Sequence, residues 1–167
     1  MAAGDAPFTK AQVRDSLAQS RANLLQALDG LSEEEMTRPD AVGRWSVRDV
    51  LAHVLAWEEE AVARLELLAT NRPQDFAPIT NEEELEAWND SAHQRYSGLA
   101  LAEVMRRLTD VQGRILAGLD SLSEERLATD AGPVPVHNWL PGCTYAHAQE
   151  HCADILDWRR SIETSEV

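Results

Sequence analysis

The sequence is short of positive charge, of cysteine and of uninterrupted apolar stretches, and each shortage closes off a class of protein. Its 167 residues hold 15 Lys and Arg against 29 Asp and Glu, a formal net charge of -14. Such a surface repels phosphate backbones and anionic membranes. The Arg-Arg pairs, Arg106–Arg107 and Arg159–Arg160, stand isolated among acids, so neither nucleic acid nor a membrane is expected as partner. Two cysteines, Cys143 and Cys152, form no C-x-x-C pair and no disulfide framework, which leaves a reducing cytoplasm as the expected setting. Asp5, Lys10, Arg14 and Asp15 exclude a signal-peptide apolar core. The longest uncharged run, Ala131 to Gln149, is broken by Gly132, Pro133, Pro135, Pro141 and Gly142; it reads as a structured loop leading into a helix, not a membrane span. No G-x-S-x-G elbow, P-loop or dinucleotide fingerprint occurs, and no run alternates with the period of a strand.

What remains is helical. The length suits one domain over residues 1–167, and 44% hydrophobic with 26% charged residues is an ordinary globular composition. A first helix opens at Thr9 with a T-x-x-Q capping pattern, carries Val13, Leu17, Leu24 and Leu28, and stops at Gly30. A second opens at Ser46 with Asp49 three residues on, carries Val47, Val50, Leu51, Val54, Ala61, Val62, Leu65 and Leu68, and ends at Asn71 and Pro73. Thr80 with Glu83 is expected to cap a third segment bearing Leu85, Trp88, Ala92 and Tyr96, split or kinked at Gly98 and resuming from Leu101 to Leu119. Thr144 is expected to cap a last helix through His147, His151, Ile155 and Trp158. The pattern predicts an all-α four-helix bundle.

An internal repeat sharpens this. Residues 28–36, LDGLSEEEM, closely match residues 119–127, LDSLSEERL. Each copy ends one helix and precedes another, capped at Ser46 or Thr144. Two such helical hairpins can pack about a pseudo-two-fold axis. Counted from the caps, His53 and His151 each lie seven residues in.

His147 and His151, at i and i+4, share one helix face and can converge on one ion. Neutral imidazole is a common ligand for zinc, nickel and related ions. His53 supplies a third imidazole from a second helix, and three histidines leave coordination open for water or substrate, as in catalytic sites. Asp154, one turn beyond His151, is a candidate acceptor for an imidazole N–H. Trp57, one turn after His53, is either a pocket wall or a core aromatic. Cys143 reads as a small buried residue, and His93 and His137, without partners at ligand spacing, as structural or solvated.

The stretch from Arg44 to His53 with Trp57 resembles the second helix of the DinB/YfiT-like superfamily. Residues 144–151 with Asp157-Trp158-Arg159 resemble its fourth, and Ala87-Trp88-Asn89 resembles the ClbS/DfsB-like branch. The resemblance implies a DinB-like bundle with an unusual connection order, often dimeric, with a divalent metal, zinc or nickel foremost, on His53, His147 and His151. Trp57, Trp88, Asn89 and Asp154 then surround the site. It also implies an enzyme of hydrolase or thiol-transferase type acting on a small electrophilic or toxic molecule, with a low-molecular-weight thiol as co-substrate in some relatives. The alternative is a non-catalytic protein of the same fold that sequesters its ligand in an aromatic-lined cleft near Trp57 and Trp88.

Overall fold

The computed structural model describes residues 8–128 and 134–165. Its elements are α1 (Lys10–Leu28), α2 (Glu33–Thr37), α3 (Val47–Ala69), a 3₁₀ turn at Pro73–Asp75, α4 (Glu82–Tyr96), α5 (Leu101–Ser121), α6 (Glu124–Ala128), α7 (Val136–Cys143) and α8 (Tyr145–Ser165). The fold is all-α; the nearest approach to a strand among the described residues is one isolated bridge between Val42 and Trp45. No helix among them is long and apolar enough to cross a membrane.

The four long helices α1, α3, α5 and α8 form the bundle, and α3 is its axis. Its buried residues, from Val47, Val50 and Leu51 to Leu65 and Leu68, lie on most of its circumference, the signature of a helix covered on several sides. It packs on α2, α4, α5, α7 and α8. Helix α5 buries a single stripe, Leu101, Val104, Leu108, Val111, Ile115 and Leu119, and leaves its other face to water.

Chain direction follows from the cross-helix bonds. Ser20 Oγ donates to Tyr145 O, Cys152 Sγ to Asn23 O and Arg159 Nη1 to Ala27 O, so α1 and α8 run in the same direction. Arg107 pairs with Glu59 and Arg114 with Glu66, so α3 and α5 also run together. The ion pair of Arg21 with Glu58 sets α1 against α3. Exchanging α1 with α5 and α3 with α8 therefore maps one parallel pair onto the other. The repeat copies obey the same exchange: each ends a long helix and then forms one short helical turn, α2 or α6.

Three local expectations are corrected. The cap of α4 is Asn81, whose side chain accepts from Glu84 N, while Glu84 reaches back to Thr80; the capping group has slipped one residue along. Helix α7 forms within the run expected to be loop, because Val136, Trp139, Leu140 and Cys143 share a face that becomes buried. Pro141 removes one helical N–H from that short helix, a cost met by the burial of Trp139 and Leu140; Ala131, Gly132 and Pro133 lie outside the described residues. Thr144 does precede α8, but its hydroxyl donates backward to Leu140 O at 2.5 Å instead of capping forward.

Candidate metal centre

The register of α3 is set by its cap. Ser46 Oγ accepts from Asp49 N at 3.1 Å, and Asp49 Oδ2 accepts from Ser46 N at 3.1 Å, a closed capping box. Two turns on, His53 points across to α8. There His147 and His151 stack one turn apart, and the three rings meet: centroids are 4.9 Å apart for His53 and His147, 5.1 Å for His53 and His151, and 4.6 Å for His147 and His151. One ring nitrogen of each lies within 4.8 Å of those of the other two.

The donor atoms suit a cation. His147 Nε2 and His151 Nε2 face each other at 3.1 Å. His151 Nδ1 lies 3.1 Å from Asp154 Oδ2; donating its proton there leaves the Nε2 lone pair facing inward. A metal–nitrogen bond of about 2.1 Å places two ligand nitrogens about 3.0–3.4 Å apart, depending on geometry. The His147–His151 pair already meets that spacing. His53 Nδ1 and His147 Nδ1 are buried with no protein partner among the described residues; for His147 this is the nitrogen facing away from the Nε2 pair, so the fit to an ion rests on the spacing of the inward donor atoms. The residues fit a divalent ion.

Electrostatics favours neutral, ligand-ready rings. Burial pushes His53 down to about 4, with His151 and His93 adding repulsion. Burial likewise pushes His147 down to about 3, reinforced by His151 and His53. Neither ring needs to shed a proton at neutral pH before it can ligate.

Aromatic groups flank the cluster. Trp57 lies 5.9 Å from His147 and packs on Trp88 at 3.9 Å, tilted 34°. Its indole N–H donates to Asn89 Oδ1 at 3.2 Å, so α4 fixes the ring that borders the histidines. Trp57 is 8% exposed, the core aromatic of the two alternatives the sequence offered, and it borders His147. On the other side Trp45 packs 5.0 Å from His53, and His93 stacks parallel on Trp45 at 5.8 Å.

Of the remaining sequence candidates, Asp154 stands where its spacing placed it. Cys143 is buried beside Arg64 Nη1 at 3.5 Å, and burial raises its thiol to about 11, an inert small residue as expected. His137 lies against Phe8, away from the cluster. His93 and Trp45 are the neighbours that sequence spacing missed. The available signal was that Asn89 and His93 share one face of α4 at i and i+4, while the fold of the 42–45 turn, which brings Trp45 in, leaves no periodic trace.

The sequence matches the DinB superfamily over residues 16–155. No curated protein matches it. Among solved structures, the Sibling Lethal Factor Precursor DfsB superposes with a TM-score of 0.76 at 20% identity, covering 92% of this chain and 96% of that one. An uncharacterised protein from Escherichia coli UTI89 gives 0.81 at 17%, covering 94% and 96%. The colibactin self-resistance protein ClbS, solved in complex with a dsDNA, gives 0.77 at 12%, covering 93% and 98%. At these identities the likeness is one of fold.

Proposed function

The chain belongs to the DinB superfamily, and from that footing we propose that it is a metal-dependent enzyme of hydrolase or thiol-transferase type. Its substrate is a small electrophilic, toxic molecule, and its divalent ion sits on His53, His147 and His151. The observation that carries this reading is the meeting of three imidazoles from two helices, with the Nε2 atoms of two of them 3.1 Å apart. Zinc and nickel both suit an all-imidazole set. Once bound, such an ion supplies Lewis acidity and makes a water or thiol a better nucleophile near neutral pH.

The chain's own residues do the rest. His53 and His147 present neutral rings because burial disfavours their charged forms. Asp154 holds His151 in the tautomer whose Nε2 accepts. Trp57, pinned by Asn89, and Trp88 offer an apolar wall against which a small organic substrate can lie. Among the carboxylates of α3, Glu58 is tied to Arg21, Glu59 to Arg107 and Tyr96, and Glu60 to Arg64, so none is assigned as a general base.

A small molecule is the partner this reading requires, joined by a low-molecular-weight thiol as co-substrate if the reaction is a thiol transfer and by water if it is a hydrolysis. The dsDNA in the ClbS complex belongs to that protein; a net charge of -14 here opposes phosphate binding. The role of ClbS in colibactin self-resistance supports a protective function, and homodimerisation is carried over from the family resemblance. Sequestration without turnover is the second reading, supported by the aromatic surface that the Trp57–Trp88 pair places beside His147.

The deciding measurement is elemental analysis of untagged protein purified without chelators, beside His53→Ala and the triple His→Ala variant. About one zinc or nickel per chain is expected, lost in both variants. Metal-free protein, with uptake unchanged in His53→Ala, would overturn the reading.

A further inference from the structure

The exchange that relates the two halves of the bundle also relates positions within the histidine cluster. His53 and His151, seven residues beyond Ser46 and Thr144, are counterparts and face each other. His147 lies three residues beyond Thr144. Its counterpart, three beyond Ser46, is Asp49. Asp49 and His53 are spaced i and i+4 on α3 as His147 and His151 are on α8, so each pair shares a helix face. The cradle thus has four related positions: three carry imidazoles, and the fourth carries a carboxylate.

Yet Asp49 is not drawn into the cluster, which among the described residues comprises the three histidines. Its side chain is largely buried but engaged elsewhere. Oδ2 accepts from Ser46 N at 3.1 Å and Ser46 Oγ at 2.6 Å, and Oδ1 accepts from Arg48 Nη2. Arg48 is itself anchored by donating to Ser97 O at 2.7 Å and Leu99 O at 2.9 Å. On the other helix the corresponding device is switched off. The Thr144 hydroxyl turns back to Leu140 O, so residue 147 is released from capping duty and its ring can face the centre.

We infer that Asp49 stands at the fourth corner of the centre and that Ser46 and Arg48, by holding its carboxylate back, keep that corner open. The exchangeable coordination position, and with it the approach of water or substrate, then faces the Asp49 and Trp45 side, opposite the Trp57 wall. Three protein ligands with one open position is the arrangement of a reactive centre, whereas a fourth protein ligand makes a closed, structural one. This inference rests on the metal reading above.

The test uses the full chain loaded with cobalt(II), whose visible spectrum reports its ligands, and azide as the exogenous ligand. Azide should perturb the wild-type spectrum. In Asp49→Cys a near-ultraviolet thiolate-to-cobalt charge-transfer band should appear and the azide response should vanish. Asp49→His should lose the azide response too and hold cobalt at least about tenfold more tightly, by chelator competition. Asp49→Asn, which loses the carboxylate charge without adding a strong ligand, should keep the azide response. Circular dichroism establishes which variants fold, and either the cysteine or the histidine variant alone decides. No charge-transfer band in folded Asp49→Cys, an undiminished azide response in folded Asp49→His, or no azide response in the wild type overturns the inference while leaving the three-histidine site intact. Failure of the wild type to take up cobalt removes the metal reading itself.

Discussion

His147 and His151 face each other through their Nε2 atoms at 3.1 Å, and among the described residues only the second has an acceptor for its outer nitrogen, Asp154 Oδ2. That acceptor fixes the ring and raises its basicity, although Asp154 is half exposed and contributes little to the core. Asp154→Ala should therefore lower metal affinity about 10–100-fold, the range for lost outer partners, with near wild-type melting of the metal-free protein. Asp154→Asn, which keeps an acceptor oxygen, should recover part of the loss. Chelator competition measures both; unchanged affinity in Asp154→Ala would mean packing alone orients His151.

Acid should loosen the metal-free protein through the same cluster. An unfolded imidazole takes its proton near 6.5, whereas folded His53 does so at about 4 and folded His147 at about 3. Over that interval the unfolded chain binds more protons, so stability falls as pH drops from about 6.5 and levels off below about 3. Glu58 acts in the opposite sense, because burial holds its carboxyl above the ordinary range despite Arg21. The double variant His53→Gln/His147→Gln separates the two contributions. Between pH 7 and 4 the urea midpoint of metal-free wild type should fall relative to that of the variant; parallel curves would show that the buried rings do not drive the loss.

How much of this could be read beforehand depends on how local the cause is. The bundle was legible because apolar spacing and end signals act within a few residues: Thr9 and Ser46 cap their helices by the bonds their patterns imply. The triad was legible because cap-relative register survives differing loop lengths. The Thr80-for-Asn81 slip arose because both residues can cap, and Glu84 binds the neighbour. Helix α7 was hidden by its prolines, whose cost is decided by tertiary burial of Trp139 and Leu140. The stack of His93 on Trp45 was beyond reach, since it depends on how α4 lies across the start of α3.

The link between α4 and the candidate site is one hydrogen bond. Trp57 is 8% exposed, and its indole N–H has Asn89 Oδ1 as partner. Asn89→Leu leaves that donor unsatisfied, a cost of about 1–3 kcal/mol. The melting temperature should drop by several degrees, and the ligand-free tryptophan emission should change as the Trp57–Trp88 pair loosens. If melting is unaffected, the tilted stack with Trp88 holds α4 without the asparagine.

Two glycines on α5 should respond with opposite signs to the same substitution. At Gly118 an added Cβ would lie 3.1 Å from both Leu65 Cβ and Leu65 Cδ1, and Leu65 is fully buried on the central helix. Alanine there gains about 1 kcal/mol of helix propensity but forces α3 and α5 apart at their close approach, at about 1–3 kcal/mol. At Gly113 nothing lies within 4 Å of the added atom, so alanine keeps the whole propensity gain, about 0.5–1 kcal/mol. Gly113→Ala should raise the melting temperature by about 1–4 °C, whereas Gly118→Ala, with a net loss of up to about 2 kcal/mol, should lower it by up to about 8 °C, given about 2–4 °C per kcal/mol at this chain length. A stabilised Gly118→Ala would mean that Leu65 can shift without loss, and that the α3–α5 contact positioning Glu59, Tyr96 and α4 is looser than the 3.1 Å approach implies.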